Sequence, residues 1–286
     1  MDFRTDLALE RHELIRDSVP DGVDFEEEIF ENTKITRINI KTQQGSKALN
    51  KRCGNYITLE IPKLSVVVQE CENEIELIAR ELSSLIKTDG TVLVAGLGNH
   101  NITPDAIGPK TVEFTLSTRH IKDTLADFNF HSVASLSPGV MGQTGIESGD
   151  IIGAVANKIG AKLVIVIDAL ASMSVDRLGR SIQICDTGIS PGSGVNNARS
   201  ELSKESLGIP VVAIGVPTVV DALTIANSLT KDIMQNDEQN KKYSTLMVTP
   251  REIDSMVLSL SRVLALSIGR ALHKSLSISD LYFLSQ

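Results

Sequence analysis

Two aspartates stand where a carboxylate could act on a substrate. Asp105 lies in the loop VAGLGNHNITPDAIGP (Val94–Pro109), set behind Pro104, and Asp168 ends the apolar run LVIVID. In an open parallel sheet, ligands bind in the crevice beyond the carboxyl ends of the strands. Both aspartates fall in that position, and they meet if their strands are neighbours. Two close carboxyl groups do not ionise together easily. One is held protonated as an acid, while the other deprotonates a water for attack on an amide. A single aspartate at a strand end reads equally well as an N-cap or a structural carboxylate. Two on one rim point to chemistry.

Other chemistries find less support. GLGNHN (Gly96–Asn101) lacks the third glycine of a dinucleotide fingerprint and no P-loop GK[ST] occurs, so these glycines read as a tight turn between strand and helix. The Gly-rich stretches Ser137–Asp150 and Asp186–Asn197 either admit an extended peptide backbone or only turn the chain. His12, His100, His120, His131 and His273 show no zinc-motif spacing, and no G-x-S-x-G elbow is present for a serine nucleophile. No metal and no cofactor is expected. Cys53, Cys71 and Cys185 are odd in number and far apart, as for reduced thiols in a cytoplasmic protein. A formal net charge of -8 argues against a phosphate-tracking surface, hence against direct nucleic-acid binding. The charged start lacks the apolar run of a signal peptide, and the longest apolar run, Ile209–Val220, holds two prolines and is too short to span a bilayer. A soluble protein without membrane association is expected.

The elements that position the aspartates can be read from pattern. KITRINIKT (Lys34–Thr42) and NYITLEIP (Asn55–Pro62) read as paired strands, followed by a helix ending near Asp89-Gly90. From Thr91, the apolar runs TVLVAG, HSVASL, KLVIVIDA and PVVAIGV alternate with helical segments, PKTVEFTLSTRHIKDTL and ESGDIIGAVANKIG among them. That alternation predicts an α/β fold, a mostly parallel sheet with helices on both faces. SIQICD adds a strand that breaks the rhythm. The polar stretch Thr230–Ser244 reads as a surface excursion. A long C-terminal helix is expected to start at an N-cap Thr249, with Pro250 in its first turn and Glu252 three residues after the cap. Its apolar residues Met256, Leu258, Leu260, Val263, Leu264, Leu266 and Ile268 lie on more than one side, which suits either the core or a subunit contact. The chain of 286 residues is expected to form one compact domain, with a β-containing N-terminal segment (7–65) before an α/β core (66–286).

Several long blocks carry a resemblance. FRTDLALE (Phe3–Glu10), GLGNHNITPDAIGPK, SPGVMGQTGIESGDII, VIVIDALASMS, SIQICDTGISPGSGVNN, LGIPVVAIGVPTVVDA and LMVTPREID, in this order, resemble the germination proteases of spore-forming bacteria. The resemblance covers nearly the whole chain. It implies an aspartic-type endopeptidase of the spore core that degrades small acid-soluble spore proteins, made as a zymogen and assembled as a homotetramer. It also implies a fold similar to hydrogenase maturation proteases. The two essential aspartates of the family fall on Asp105 and Asp168. Its substrate sites resemble Thr or Ser, then Glu, cut before a large apolar residue, Ala, a small residue and Glu. Thr5-Asp6-Leu7-Ala8-Leu9-Glu10 follows that pattern with Asp for Glu and Leu for the small residue, which implies autoprocessing between Asp6 and Leu7 and a short propeptide, 1–6. The segment before RTD and the polar segment before LMVTP are shorter than in longer members. A weaker likeness, GLGN with TRH (Thr118–His120), is similar to peptidyl-tRNA hydrolases. A non-catalytic ligand-binding α/β protein is the other alternative.

Overall fold

The structure, a computed structural model, describes residues 5–15, 19–64, 67–121, 130–192, 200–229 and 246–285. The expected polar excursion 230–244 lies outside the described residues, as do 1–4 of the expected propeptide and 193–197 of a Gly-rich loop.

Continuous runs of Val, Ile and Leu form the centre of the sheet because both of its faces are covered. The strands are β1 (Val23–Phe30), β2 (Thr33–Ile40), β3 (Gly54–Glu60), β4 (Val92–Gly96), β5 (Val133–Leu136), β6 (Leu163–Ser172), β7 (Ser181–Cys185), β8 (Val211–Asp221) and β9 (Met247–Val248). They form one sheet in the order β1-β2-β3-β7-β8-β6-β4-β5, with β9 on β8. Strands β5, β4, β6 and β8 are parallel, whereas β7, β3, β2 and β1 extend the same sheet in antiparallel pairs. Strand β7 is the expected break in rhythm.

Alternation along β6 divides the core in two. Leu163, Ile165 and Ile167 join one layer with α3 (Glu72–Leu85), α4 (Ile107–Glu113), α9 (Ile253–Leu272) and α10 (Ile278–Leu284). Val164 and Val166 face the other layer, with α1 (Ala8–Glu13), α2 (Gln43–Leu49) and α6 (Ser148–Ile159). The short helices α5 (Met141–Thr144), α7 (Lys204–Leu207) and α8 (Ala222–Leu229) lie in the connections. Asp168 has the parity of Val164 and Val166, and therefore faces the α1 and α2 side.

Two local expectations are corrected and one left open is decided. The helix expected over PKTVEFTLSTRHIKDTL ends at Glu113. Phe114 and Thr115 close it with bonds to the carbonyls three residues back, and the Thr118 and Arg119 N–H groups are then taken by the Val133 carbonyl of β5. Thr249 is not a helix cap: its hydroxyl donates to the Thr218 carbonyl of β8 at 2.9 Å, and the helix begins four residues later at Ile253. Finally, α9 buries most of its surface within the chain, against α3 and α4, so its wide apolar face is explained without a subunit contact. The helix is long and apolar enough to cross a membrane, but most of it is packed inside the fold.

Edge strand β1 carries Glu26, Glu27 and Glu28, charges that blunt edge-to-edge pairing. Arg37 of β2 anchors this antiparallel half to α3. Its guanidinium grips both oxygens of the buried Glu81 at 2.6 and 2.8 Å and reaches Glu28 at 2.7 Å. Arg37→Met leaves Glu81 with Arg80 alone and is expected to cost about 3 kcal/mol in urea unfolding, because a buried carboxylate loses its principal partner. Arg37→Met/Glu81→Leu should recover most of that loss.

Candidate active site

The loop after β4 is held by close backbone packing. Leu97 N–H donates to the Ile167 carbonyl at 2.8 Å, which ties the loop to the residue preceding Asp168. Gly98 has φ +111°, and a Cβ there would lie 1.9 Å from the Asp105 carbonyl oxygen. A Cβ on Gly108 would lie 2.3 Å from the Leu97 carbonyl and 2.6 Å from that of Ile167. These glycines let the loop, the 3₁₀ turn Thr103–Asp105 and β6 approach one another, as a tight turn requires. The loop presents a carboxylate: Asp105 Oδ2 accepts the Asn99 N–H at 2.7 Å.

Asp168 is 5% exposed. Its own chain gives it one N–H, from Ala169 at 2.9 Å. Burial raises its pKa well above the ordinary aspartate value, and the charges of Asp105 and then Asp6 raise it further. The structure therefore brings Asp105 and Asp168 together on one rim, and adds Asp6 as a third carboxyl. All three line a cleft of about 970 Å³ at the carboxyl ends of the parallel strands.

Thr5 and Asp6 lie in that cleft. Asp6 N–H donates to the Ala171 carbonyl at 3.1 Å, and its carboxylate accepts the Ala171 N–H at 2.9 Å. The Ala8 N–H donates to Gln183 Oε1 at 2.7 Å. Leu7, Ala8 and Leu9 are buried, and Glu10 is fully buried among Ser172 Oγ at 2.6 Å, Met173 N–H at 2.8 Å and Arg177 at 3.1 Å. The Asp6 carbonyl, which belongs to the Asp6–Leu7 bond, accepts Lys51 Nζ at 2.6 Å and Gln183 Nε2 at 3.4 Å.

Sequence reading missed Lys51 and Gln183. Gln183 had a signal, a polar residue between Ile182 and Ile184 in a buried strand; it pairs with Gly215, which pairs in turn with Asp168, so the two side chains share one row on one face. Lys51, which follows the left-handed Asn50 at the end of α2, had none. The histidines lie outside the cleft lining. His100 meets Glu113 on the surface, His12 stacks on Phe25, and His273 is buried with its pKa pushed down to about 4 by desolvation. Of the TRH stretch, Thr118 is a structural tie that donates to the His131 carbonyl and accepts the Val133 N–H, and His120 is exposed. Among the described residues no group of three or more His, Cys, Asp or Glu is arranged to hold a metal ion.

Fold and site define an α/β protein whose rim cleft holds residues 5 and 6 of its own chain among acidic side chains. The sequence pattern of the germination protease family matches residues 5–244, and the chain belongs to that family, a family of peptidases. It is 41% identical to the germination protease of Clostridium tetani over 98% of both chains. Identity is 42% with that of Caldanaerobacter subterraneus subsp. tengcongensis, over 98% of this chain and 97% of the relative. Among solved structures, the [NiFe] hydrogenase maturation protease HycI of Thermococcus kodakarensis aligns with a TM-score of 0.40 at 18% identity, covering 67% of this chain and 98% of that one.

Two outcomes test this geometry. Gly108→Ala should cost about 3 kcal/mol by urea unfolding, since the atoms its Cβ meets are backbone that cannot step aside. Asp168 binds its proton more tightly folded than unfolded, so its contribution to stability falls as pH rises from the unfolded pKa through the folded one. Asp168→Asn lacks that fall. Thermal unfolding should show the variant gaining on the wild type between about pH 4, near the unfolded pKa, and pH 7; a constant difference would contradict the buried-acid assignment.

Proposed function

We propose that this germination protease is an aspartic-type endopeptidase using Asp105 and Asp168, made as a zymogen that cuts itself between Asp6 and Leu7. The observation that carries this reading is that Thr5 and Asp6 line the same cleft as Asp105 and Asp168, with the Asp6 carbonyl and carboxylate held by Lys51 and Ala171. Asp168, buried and raised in pKa, serves as the acid. Asp105, the more open of the pair, serves as the base that takes a proton from water.

The proposed substrates are small acid-soluble spore proteins in the spore core. Support comes from the segment's own sequence, which follows the pattern of the sites cut by the family. Its Glu10 occupies a pocket of Ser172, the Met173 N–H and Arg177, a setting that recognises a carboxylate four residues beyond the cut. A homotetramer is proposed from the family resemblance. Since α9 is engaged within the chain, apolar side chains free for such contacts lie elsewhere, at Ile29 and Phe283 for example.

Mild acid favours the reaction, because protonation weakens repulsion among Asp6, Asp105 and Asp168. Incubation of the full chain at mildly acid pH should yield a new amino terminus at Leu7 by sequencing. Asp105→Asn and Asp168→Asn should each fold and lose activity by about 10²–10⁴-fold, since an amide cannot shuttle the proton. A fully active wild-type preparation that keeps Met1 would refute self-cleavage, and near wild-type cleavage by either folded variant would refute the carboxylate pair.

A further inference from the structure

We propose that Lys51 and Gln183 form the oxyanion site of this peptidase, holding the carbonyl oxygen of the bond to be cut. The proposal rests on the carboxylate-pair reading above and adds the group that the pair lacks. Two acids can activate water and protonate a leaving nitrogen, but a proton committed to the leaving nitrogen does not also stabilise the negative charge that develops on the carbonyl oxygen. Such donors, fixed in advance in a water-poor site, are usually the largest single contribution to acyl-transfer catalysis.

Two donors converge on one carbonyl oxygen, that of Asp6. Lys51 Nζ stands at 2.6 Å and Gln183 Nε2 at 3.4 Å. The Gln183 amide is oriented by its other end, since Oε1 accepts the Ala8 N–H at 2.7 Å, which fixes the nitrogen towards Asp6. The same glutamine therefore holds the peptide on the far side of the bond while reaching its carbonyl. The bond is further fixed by the Asp6 N–H and carboxylate, both on Ala171, three residues beyond Asp168 on β6. Lys51, Gln183, Asp105 and Asp168 line one cleft.

The step balances as follows. Asp105 takes a proton from water and the hydroxide oxygen bonds to the Asp6 carbonyl carbon. The carbonyl π pair moves to oxygen, where the Lys51 ammonium and the Gln183 amide hold it. Collapse restores the carbonyl and breaks the C–N bond, and the Leu7 nitrogen takes its proton from Asp168. The products are the Asp6 carboxyl group and the Leu7 amine.

Lys51 is surrounded by the charges of Asp6, Glu10 and Arg11 and by the thiol of Cys185, and burial lowers its pKa. Loss of its proton would remove the charged donor, so activity should fall as pH rises through that pKa.

The test is the first-order rate of self-cleavage of the full chain, read as appearance of the Leu7 terminus. Lys51→Met should slow it by about 10²–10³-fold, the cost of one oxyanion donor, and Gln183→Leu should slow it as well, by less. A folded Lys51→Met within threefold of wild type overturns the assignment. Should Lys51→Met not fold, Lys51→Arg in a Cys185→Ser background decides. Its guanidinium stays charged, so the alkaline fall seen with Cys185→Ser alone should change, leaving only the fall that comes from Asp168; a pH profile unchanged in both position and steepness overturns the assignment. Asp168→Asn, measured alongside, separates the two readings. A fast Lys51→Met beside an inert Asp168→Asn removes only the lysine, whereas a fast folded Asp168→Asn removes the carboxylate pair and this assignment with it.

Discussion

A carboxyl group kept from water is the constraint on which the site depends. Asp168 lies within β6, the five strand residues before it are all buried, and the layers on both faces of the sheet deny it solvent. Removing a carboxylate from water is costly, so the group relaxes by keeping its proton. The acidic neighbours Asp105 and Asp6 push in the same direction. A proton held in this way is available to a leaving group. The architecture that makes it so is ordinary: a parallel centre flanked by helices, with a cleft at the strand ends.

The rim is built from backbone as much as from side chains. Gly98 and Gly108 allow the Asp105 turn to lie against β6 without a Cβ between them, and the Leu97–Ile167 hydrogen bond fixes their register. From the antiparallel half of the sheet comes Gln183, in line with Asp168 through Gly215. The two halves of one sheet thus contribute side by side to one face, Asp168 from the parallel half and the Gln183 amide from the antiparallel half.

The parallel strands and both aspartates were legible in the sequence because burial on two faces writes itself as uninterrupted Val, Ile and Leu, and each aspartate closes such a run or follows its turn. Strand β1 was not legible. Three consecutive glutamates hide its alternation, since an edge strand exposed to solvent needs little apolar sequence. The helix after Pro109 was read too long because Val112 and Leu116 keep helical spacing beyond the point where β5 takes over the backbone N–H groups. A tertiary bond to Thr218 likewise displaced the expected cap at Thr249. Lys51 is the plainest gap: it follows a short helix in a polar stretch, and only the folded chain brings its ammonium to residue 6.

The docked segment has a kinetic meaning as well. A ligand joined to its site by a few residues is present at an effective concentration of roughly millimolar or more, whatever the protein concentration. Leu7, Ala8 and Leu9 are buried in the fold and Glu10 is held by Thr5, Ser172, Met173 and Arg177, so this tether is short and stiff. A free peptide at micromolar concentration competes poorly with it. Under the self-cleavage proposed above, access to the cleft is governed by how often residues 5 and 6 lift away, a property of the chain alone that protein concentration changes little.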